Sequence, residues 1–357
     1  MKKMQVQTGE AYEILFERGA LARCGTYIRA VTGASRAAVI TDTNVAGFYA
    51  AEVRASLKSA GFDASLFVFP AGEASKTLTT VSEMLSFLAG QSLTRGDIVV
   101  ALGGGVTGDM AGFAAACYLR GIRFVQIPTS LLAQIDSSVG GKTGVDLPQG
   151  KNLCGAFHQP ALVLIDPDTL DTLPARFFAD GMGEAVKYGC IKSLPLFERI
   201  EQENPHDFID DLIYECVDIK RRVVERDEKE TGERMLLNFG HTLGHALEKY
   251  HHFTGLTHGE AVGIGMVRIA QAGEHNGITA GGTARRIAEV LRRLGLPQSD
   301  PAPLPELLRA AHADKKRAAD GLNLVLLKEI GSALIQKVPE AELSSFFGYG
   351  SNPEGTV

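Results

Sequence analysis

His241 and His245 stand four residues apart in the stretch NFGHTLGHALEKY, a spacing that in a helix sets both imidazoles on one face. Asn238, three residues before His241, falls on that face too, while Leu236, Leu243 and Leu247 fall opposite and can enter a core. Thr254-Gly255 breaks the run, and His258-Gly-Glu260 opens a second helical segment, AVGIGMVRIAQAG. Two imidazoles on one helix and a third at the start of its neighbour can surround one divalent metal. The same pattern also arises as polar histidines on a solvated helix face. Gly240 and Gly244 adjoin the histidines and lower helix propensity. They make sense if something must approach the backbone closely.

Four further stretches carry reactive or ligand-binding residue types. Gly103-Gly-Gly105-Val-Thr-Gly108-Asp109 follows an apolar run and precedes a helical one. In that setting GxGxxG either cradles a pyrophosphate on backbone N–H groups or makes a plain tight turn. No acidic residue ends a strand about 20 residues further on, as the usual dinucleotide fingerprint has it. The upstream stretch Asp42-Thr43-Asn44 could supply polar groups for a ribose instead. PTSLLAQIDSSVGGKTGVD, residues 128–146, packs Thr129, Asp136, Ser137, Gly140, Gly141 and Lys142 together, with Lys151-Asn152 following. It reads as a binding segment rather than a solvated loop, because it encloses an apolar LLAQI. GMGEAVKYG, residues 181–189, puts Glu184 and Lys187 three apart on one helical face. Among glycines and apolar neighbours, Glu184 is a candidate anionic metal ligand. Asp314-Lys315-Lys316, taken alone, is a solvated charge run.

The elements that must hold these residues alternate in the first half of the chain. Residues 37–42, 65–70, 97–102 and 123–128 read as strands, and helical runs separate them. That alternation predicts an α/β region with a parallel sheet. From about Pro174 long helical stretches take over, so a first domain over 1–174 and a mainly α-helical second over 175–357 are expected. LNLVLL and SALIQKV near the end are expected to pair as a small hairpin, and the tail from Tyr349 to be loose. A chain of 357 residues suits two domains. With 45% hydrophobic and 22% charged residues it has the composition of a soluble globular protein. A net charge of −6 argues against a general nucleic-acid surface. Five cysteines without a CxxC pair fit a reducing cytoplasm. The N-terminal residues MKKMQVQTGEAYEI lack the apolar core of a signal peptide, and no run reaches membrane length. Neither a nucleic-acid nor a membrane partner is expected.

Seven motifs in order, GEASKTL, GGGVTGDMAGFAA, PTSLLAQIDSSVGGKTGVD, GMGEAVKYG, LNFGHTLGHA, HGEAV and DKK, closely resemble the 3-dehydroquinate synthases of the sugar-phosphate cyclase family. The resemblance runs from about Asp42 to Leu327. It implies an N-terminal NAD-binding α/β domain and a C-terminal helical domain binding metal and substrate. By matching position, Glu184, His241 and His258 resemble the metal ligands, for zinc or cobalt. His245, although one turn from His241, resembles a substrate-contacting histidine. Asp42, Asn44, Glu73, Lys76, Gly104, Gly105, Asp109, Thr129, Ser130, Thr169 and Thr172 resemble the NAD contacts, with Lys142 and Lys151 close to both ligands. Ser130 stands where many relatives have threonine, which keeps the hydroxyl. Asp136, Lys142, Lys151, Asn152, Lys187, Lys220, Arg234, Asn238, His245 and Lys316 resemble the substrate shell; Lys315 and Lys316 are alternatives at the last position. Arg120 matches a residue that reaches the substrate phosphate of a neighbouring subunit in a homodimer.

The resemblance implies a phosphate-eliminating lyase of the shikimate pathway, serving aromatic amino acid biosynthesis in the cytoplasm. Such an enzyme converts 3-deoxy-arabino-heptulosonate 7-phosphate to 3-dehydroquinate. NAD oxidises a ring carbinol, phosphate leaves, the hydride returns, the ring opens, and an aldol closes the carbocycle. Cyclases of other sugar phosphates, such as valiolone or inosose synthases, are near rivals; Asn238, His245 and the Asp-Lys-Lys segment favour dehydroquinate formation. A metal-dependent polyol dehydrogenase would consume NAD stoichiometrically and would not need so many lysines. A non-enzymatic NAD sensor would not need a complete set of metal ligands.

Overall fold

The computed structural model describes residues 1–314 and 321–348. They divide into two compact units. The first holds Met1–Pro174 together with Lys220–Lys229, a return of the chain that no break in composition signals. The second holds Ala175–Ile219 and the described part of Glu230–Val357.

The first unit is built on a seven-stranded sheet. Its strands in chain order are β1 (Lys2–Val6), β2 (Tyr12–Phe16), β3 (Arg36–Asp42), β4 (Asp63–Phe69), β5 (Ile98–Gly103) and β6 (Arg123–Pro128). A hairpin follows, β7 (Lys142–Leu147) with β8 (Gly150–Phe157), and then β9 (Leu162–Ile165) completes the large sheet. The order across that sheet is β1-β2-β9-β6-β5-β3-β4. Every neighbouring pair is parallel except β1 with β2. Strand β5 is apolar and buried throughout, as a strand covered on both faces requires. Alternate residues feed two cores. Val39 and Val100 join Ile28, Leu57 and Leu164 on one face, while Ile40 and Val99 join Met84, Met110 and Phe124 on the other.

The parallel sheet expected from the alternation is present. The N-terminal hairpin β1–β2 is not legible as such, because its strands are five residues each and neither is cleanly periodic. The segment 128–146 also differs from a loop. Its end is strand β7, paired with β8 from Lys142↔Phe157 to Leu147↔Gly150.

The second unit is mainly helical. Its helices are Ala175–Lys192, Leu194–Gln202, Ile209–Arg226 (of which 220–226 belongs to the first unit), His241–Tyr250, His258–His275, Thr283–Arg293 and Leu304–Asp314. The expected hairpin is there: β10 (Leu322–Glu329) pairs antiparallel with β11 (Ser332–Val338). The expected tail, 349–357, lies outside the described residues.

One expectation is corrected. Asn238, Leu236 and His241 do not share a helix. Glu233–Asn238 forms a separate 3-10 turn, Gly240 adopts a left-handed conformation (φ 80°), and the helix starts afresh at His241. The left-handed conformation at Gly240 costs a glycine little, so the apparent mid-helix glycine is an entry turn. What approaches the glycine backbones here is another helix. A Cβ on Gly240 would meet Met266 Cγ and the Val262 carbonyl at 2.6 Å, and one on Gly244 would meet Val262 Cα at 3.1 Å. Leu243 and Leu247 are buried, as their spacing predicts.

Candidate functional site

Within the second unit, three helices bring one carboxylate and two imidazoles together. Glu184 lies mid-way along Ala175–Lys192 and is fully buried. His241 is the first residue of its helix, and His258 is the first of His258–His275. Thr257 caps that last helix: its hydroxyl accepts from Glu260 N–H, and Glu260 accepts from Thr257 N–H at 2.7 Å. Asp180, one turn before Glu184, accepts the Gly259 N–H at 2.5 Å and fixes where His258 begins. The two helices touch backbone to backbone. A Cβ on Gly183 would fall 2.8 Å from the Gly259 carbonyl oxygen, and one on Gly259 would fall onto the Asp180 carbonyl. Neighbouring side chains are thereby placed at ligating range.

His241 Nε2 is 3.4 Å and His258 Nε2 3.2 Å from Glu184 Oε1. The ligand atoms of all three residues lie within 4.8 Å of one another. His241 Nδ1 donates to the Phe239 carbonyl at 3.2 Å, which leaves Nε2 as the lone-pair nitrogen. Burial, seconded by the nearby Lys187 ammonium, holds His241 well below the usual imidazole range, so it stays neutral and able to ligate. Burial also works against a charge on His258, but the carboxylates of Glu184 and Glu248 beside it outweigh it and lift this imidazole to about 10. Neither Glu184 oxygen receives a well-formed hydrogen bond, although both are out of solvent. Facing them are the two imidazoles and the buried Lys187 ammonium, which ion-pairs with the carboxylate. A buried carboxylate so placed fits a divalent cation, and one oxygen donor with two nitrogens is a zinc-type set. A second triple, His245, Glu248 and His258, also lies within 4.8 Å. His245 itself is exposed, with its ring edge-on to His241 at 5.5 Å between centroids. Arg234 is 1% exposed, and Asn238 donates to Glu230 at 2.9 Å.

Within the first unit, the sequence-predicted NAD residues gather at the carboxyl ends of adjacent parallel strands. Asp42 ends β3 and Asn44 follows it, Glu73 and Lys76 follow β4, and Gly104, Gly105 and Asp109 follow β5. Thr129 and Ser130 follow β6, and Thr169 and Thr172 follow β9. The strand order reverses between β3 and β5, and a doubly wound sheet takes its nucleotide at such a point. Gly104 caps the helix Gly105–Cys117, whose N-terminus offers free N–H groups to an anion. A Cβ on Gly105 would lie 3.1 Å from Ser137 Oγ, so this backbone is approached closely by the Ser137 side chain. Asp42 lies across the reversal: one oxygen accepts from Asn44 N–H at 2.9 Å, the other from Thr107 Oγ1 at 3.2 Å. An acid is thus present at the reversal, on the adjoining strand rather than downstream in sequence.

Lys76, 5% exposed, donates to Asp109 at 2.7 Å and to Asn152 Oδ1 at 2.6 Å. Lys76 thus links a predicted NAD residue to a predicted substrate residue on β8, a link with no signal in the sequence. Asn152 has φ 55°, and its N–H donates to Asp146 at 2.7 Å. Lys151 lies 3.9 Å from Glu73, and Lys142 is exposed at the start of β7. Lys220 donates to the Asp136 carbonyl at 2.7 Å and ion-pairs with the Asp136 carboxylate. Thr169 Oγ1 donates to the Asp166 carbonyl and accepts from Gln134, so its hydroxyl serves the fold. Thr172 Oγ1 pairs with Tyr49 at 2.6 Å. Arg120 is exposed on a strained tip, with φ 50° at Leu119, 68° at Arg120 and 116° at Gly121. Lys315 and Lys316 lie outside the described residues.

Residues 66–180 match the family described as 3-dehydroquinate synthase N-terminal, and residues 181–317 the one described as 3-dehydroquinate synthase C-terminal. The 3-dehydroquinate synthase of Clostridium acetobutylicum is 46% identical over 348 residues, 96% of this chain and 98% of the relative. That of Streptococcus suis is 45% identical over 341 residues, 94% of this chain and 96% of the relative. Among solved structures, 2-deoxy-scyllo-inosose synthase complexed with carbaglucose-6-phosphate, NAD+ and Co2+ superposes with a TM-score of 0.87 at 26% identity, over 97% of this chain and 99% of that one. A 2-epi-5-epi-valiolone synthase from Streptomyces hygroscopicus with NAD+ and Zn2+ bound gives 0.85 at 30% identity, over 96% and 97%.

Proposed function

This chain belongs to the 3-dehydroquinate synthase family, and from that premise we propose that it converts 3-deoxy-arabino-heptulosonate 7-phosphate to 3-dehydroquinate and phosphate. The observation that carries the reading is the buried Glu184 carboxylate between His241 and His258, on a chain whose first unit ends its parallel strands in NAD-type groups. NAD, when bound, supplies a reversible hydride acceptor, and a divalent metal such as zinc or cobalt supplies a Lewis acid.

The chain's own residues do the rest. Gly104 and Gly105 leave backbone N–H groups open to a pyrophosphate, and Asp42 offers its carboxylate beside them. Lys76 neutralises Asp109 and holds Asn152 in place. Glu184, His241 and His258 hold the metal, with Asp180 and the Gly183–Gly259 contact setting their spacing. Lys187, buried against Glu184, places a fixed positive charge where negative charge develops on a substrate oxygen. Lys142, Lys151, Lys220, Arg234 and Lys316 make up the cationic complement of a substrate bearing a phosphate and a carboxylate, with Asp136, Asn152, Asn238 and His245 as orienting partners. The strained tip at Leu119–Arg120 suits Arg120 to reach beyond its own chain, to the substrate phosphate of a second copy in a homodimer. We place the enzyme in the cytoplasm, where its five free thiols persist. Among the described residues no helix is long and apolar enough to cross a membrane.

The test is phosphate release from the heptulosonate phosphate, set beside release from a hexose 6-phosphate. Release from the first alone, with 3-dehydroquinate formed in equal amount, supports the reading. Release from the hexose phosphate alone points to a 2-deoxy-scyllo-inosose synthase, whose solved structure holds carbaglucose-6-phosphate.

A further inference from the structure

Each imidazole of the metal set has two nitrogens, and the structure presents the same one of them in both rings. His241 shows Nε2 to Glu184 and gives Nδ1 to the Phe239 carbonyl. His258 shows Nε2 to Glu184 at 3.2 Å, and the group next to its Nδ1 is the carboxylate of Glu248, with Oε1 at 3.7 Å. Glu248 is 4% exposed. It sits seven residues after His241, two turns along the same helix, and so looks toward the same neighbour. A metal takes a ring nitrogen that carries no hydrogen, so the ring's hydrogen must reside on the other. An acceptor beside Nδ1 decides that choice. The carbonyl of Phe239 lies there for His241, and the side chain of Glu248 lies there for His258.

We propose that Glu248 is a positioning residue that fixes His258 with its hydrogen on Nδ1 and so holds Nε2 ready for the metal. The inference rests on Glu184, His241 and His258 being the ligands. The rival role for Glu248 is as a ligand itself, in the triple with His245 and His258. That role needs a second metal, because Glu248 and Glu184 face opposite edges of the His258 ring.

The experiment compares the unsubstituted protein with Glu248→Gln and Glu248→Ala. Zinc affinity is read by competition with a chromogenic chelator, metal content by dialysis, and fold by melting of the metal-free proteins. Loss of such a partner typically weakens metal affinity about 10- to 100-fold. Glu248→Gln, which keeps an acceptor but not the charge, is expected near the low end and Glu248→Ala near the high end, with one metal per chain throughout. An unchanged melting temperature for metal-free Glu248→Gln separates this loss from general damage. Zinc affinity of Glu248→Gln within twofold of the parent overturns the proposal. So does a second zinc in the parent that Glu248→Gln loses. Should Glu248→Ala not fold, nitrogen-15 spectra of the zinc-loaded parent decide: hydrogen on Nδ1 of His258 supports the role, and hydrogen on Nε2 overturns it. A parent that binds no zinc at all would overturn the ligand set itself, and this inference with it.

Discussion

The contact between Gly183 and Gly259 lends itself to a quantitative test. In Gly183→Ala the new Cβ would lie 2.8, 2.9 and 3.1 Å from the carbonyl oxygen, Cα and carbonyl carbon of Gly259. All three are backbone atoms, so no rotamer change relieves them. Reaching ordinary contact at 3.4 Å requires the helices to part by about 0.6 Å at this point. Glu184 and His258 adjoin the two glycines, so their 3.2 Å approach opens with them. Metal–ligand distances tolerate about 0.2 Å. A shift about three times that size disturbs the site more than the fold. Overpacking costs about 1–3 kcal/mol, and the higher helix propensity of alanine returns up to about 1. The expected result is a metal-free protein destabilised by no more than about 2 kcal/mol. Zinc affinity should fall at least 10-fold, or about 1.4 kcal/mol. The control is Gly90→Ala, at the end of the helix Leu78–Gly90, where a Cβ meets nothing within 4 Å. Urea melts of the metal-free proteins and chelator competition measure both quantities. Zinc affinity in Gly183→Ala equal to that of Gly90→Ala would refute the claim that this contact sets the ligand spacing.

Asp97 accepts from Ser35, Arg36 and Thr94 N–H and from the Thr94 hydroxyl; burial opposes its charge, but these bonds hold its carboxyl below the usual range. Its contribution is therefore present above about pH 4 and lost as pH falls through the lower folded-state value. Asp97→Ala should cost about 2–4 kcal/mol at pH 7 and flatten the acid limb of a stability-versus-pH curve; an acid limb like the parent's would count against it. Lys76→Met strands Asp109, whose side chain is 18% exposed, and should cost about 2–3 kcal/mol, less than a fully buried pair, while weakening NAD binding. Urea melts and an NAD titration check it, and a loss under about 1 kcal/mol with NAD affinity intact would show the bridge to be incidental. Arg120→Ala, at an exposed site, should leave stability within about 0.5 kcal/mol and metal affinity unchanged while lowering kcat/KM for the phosphorylated substrate. An unchanged kcat/KM would remove Arg120 from the site.

Much of this arrangement is readable in the chain. The apolar runs ending at Asp42, Gly103 and Pro128 announce parallel strands, and the motifs after them announce what their ends carry. The HGE sequence after Thr257 announces a capped helix starting at His258. What the residues alone mislead on is local geometry. Helical spacing pairs His241 with His245, yet the carboxylate within ligating range of His241 and His258 is that of Glu184, 57 positions before His241 and on another helix. The helix break at Gly240 is invisible because a glycine inside a periodic run signals weak helix rather than a stop. Asp180 and the Lys76–Asn152 link are silent for a different reason. Each joins residues more than 70 positions apart, and no periodicity or spacing encodes a contact between distant segments.

Oxidation in the proposed reaction is transient. Heptulosonate phosphate and dehydroquinate plus phosphate stand at the same oxidation level, so NAD must return what it takes. The decisive measurement follows phosphate, 3-dehydroquinate and NADH absorbance together, with NAD supplied well below substrate. Transient oxidation gives many turnovers per NAD, phosphate and carbocycle appearing in equal amounts, and a flat absorbance trace. One NADH accumulating for each product would contradict it and assign the chain to the dehydrogenases.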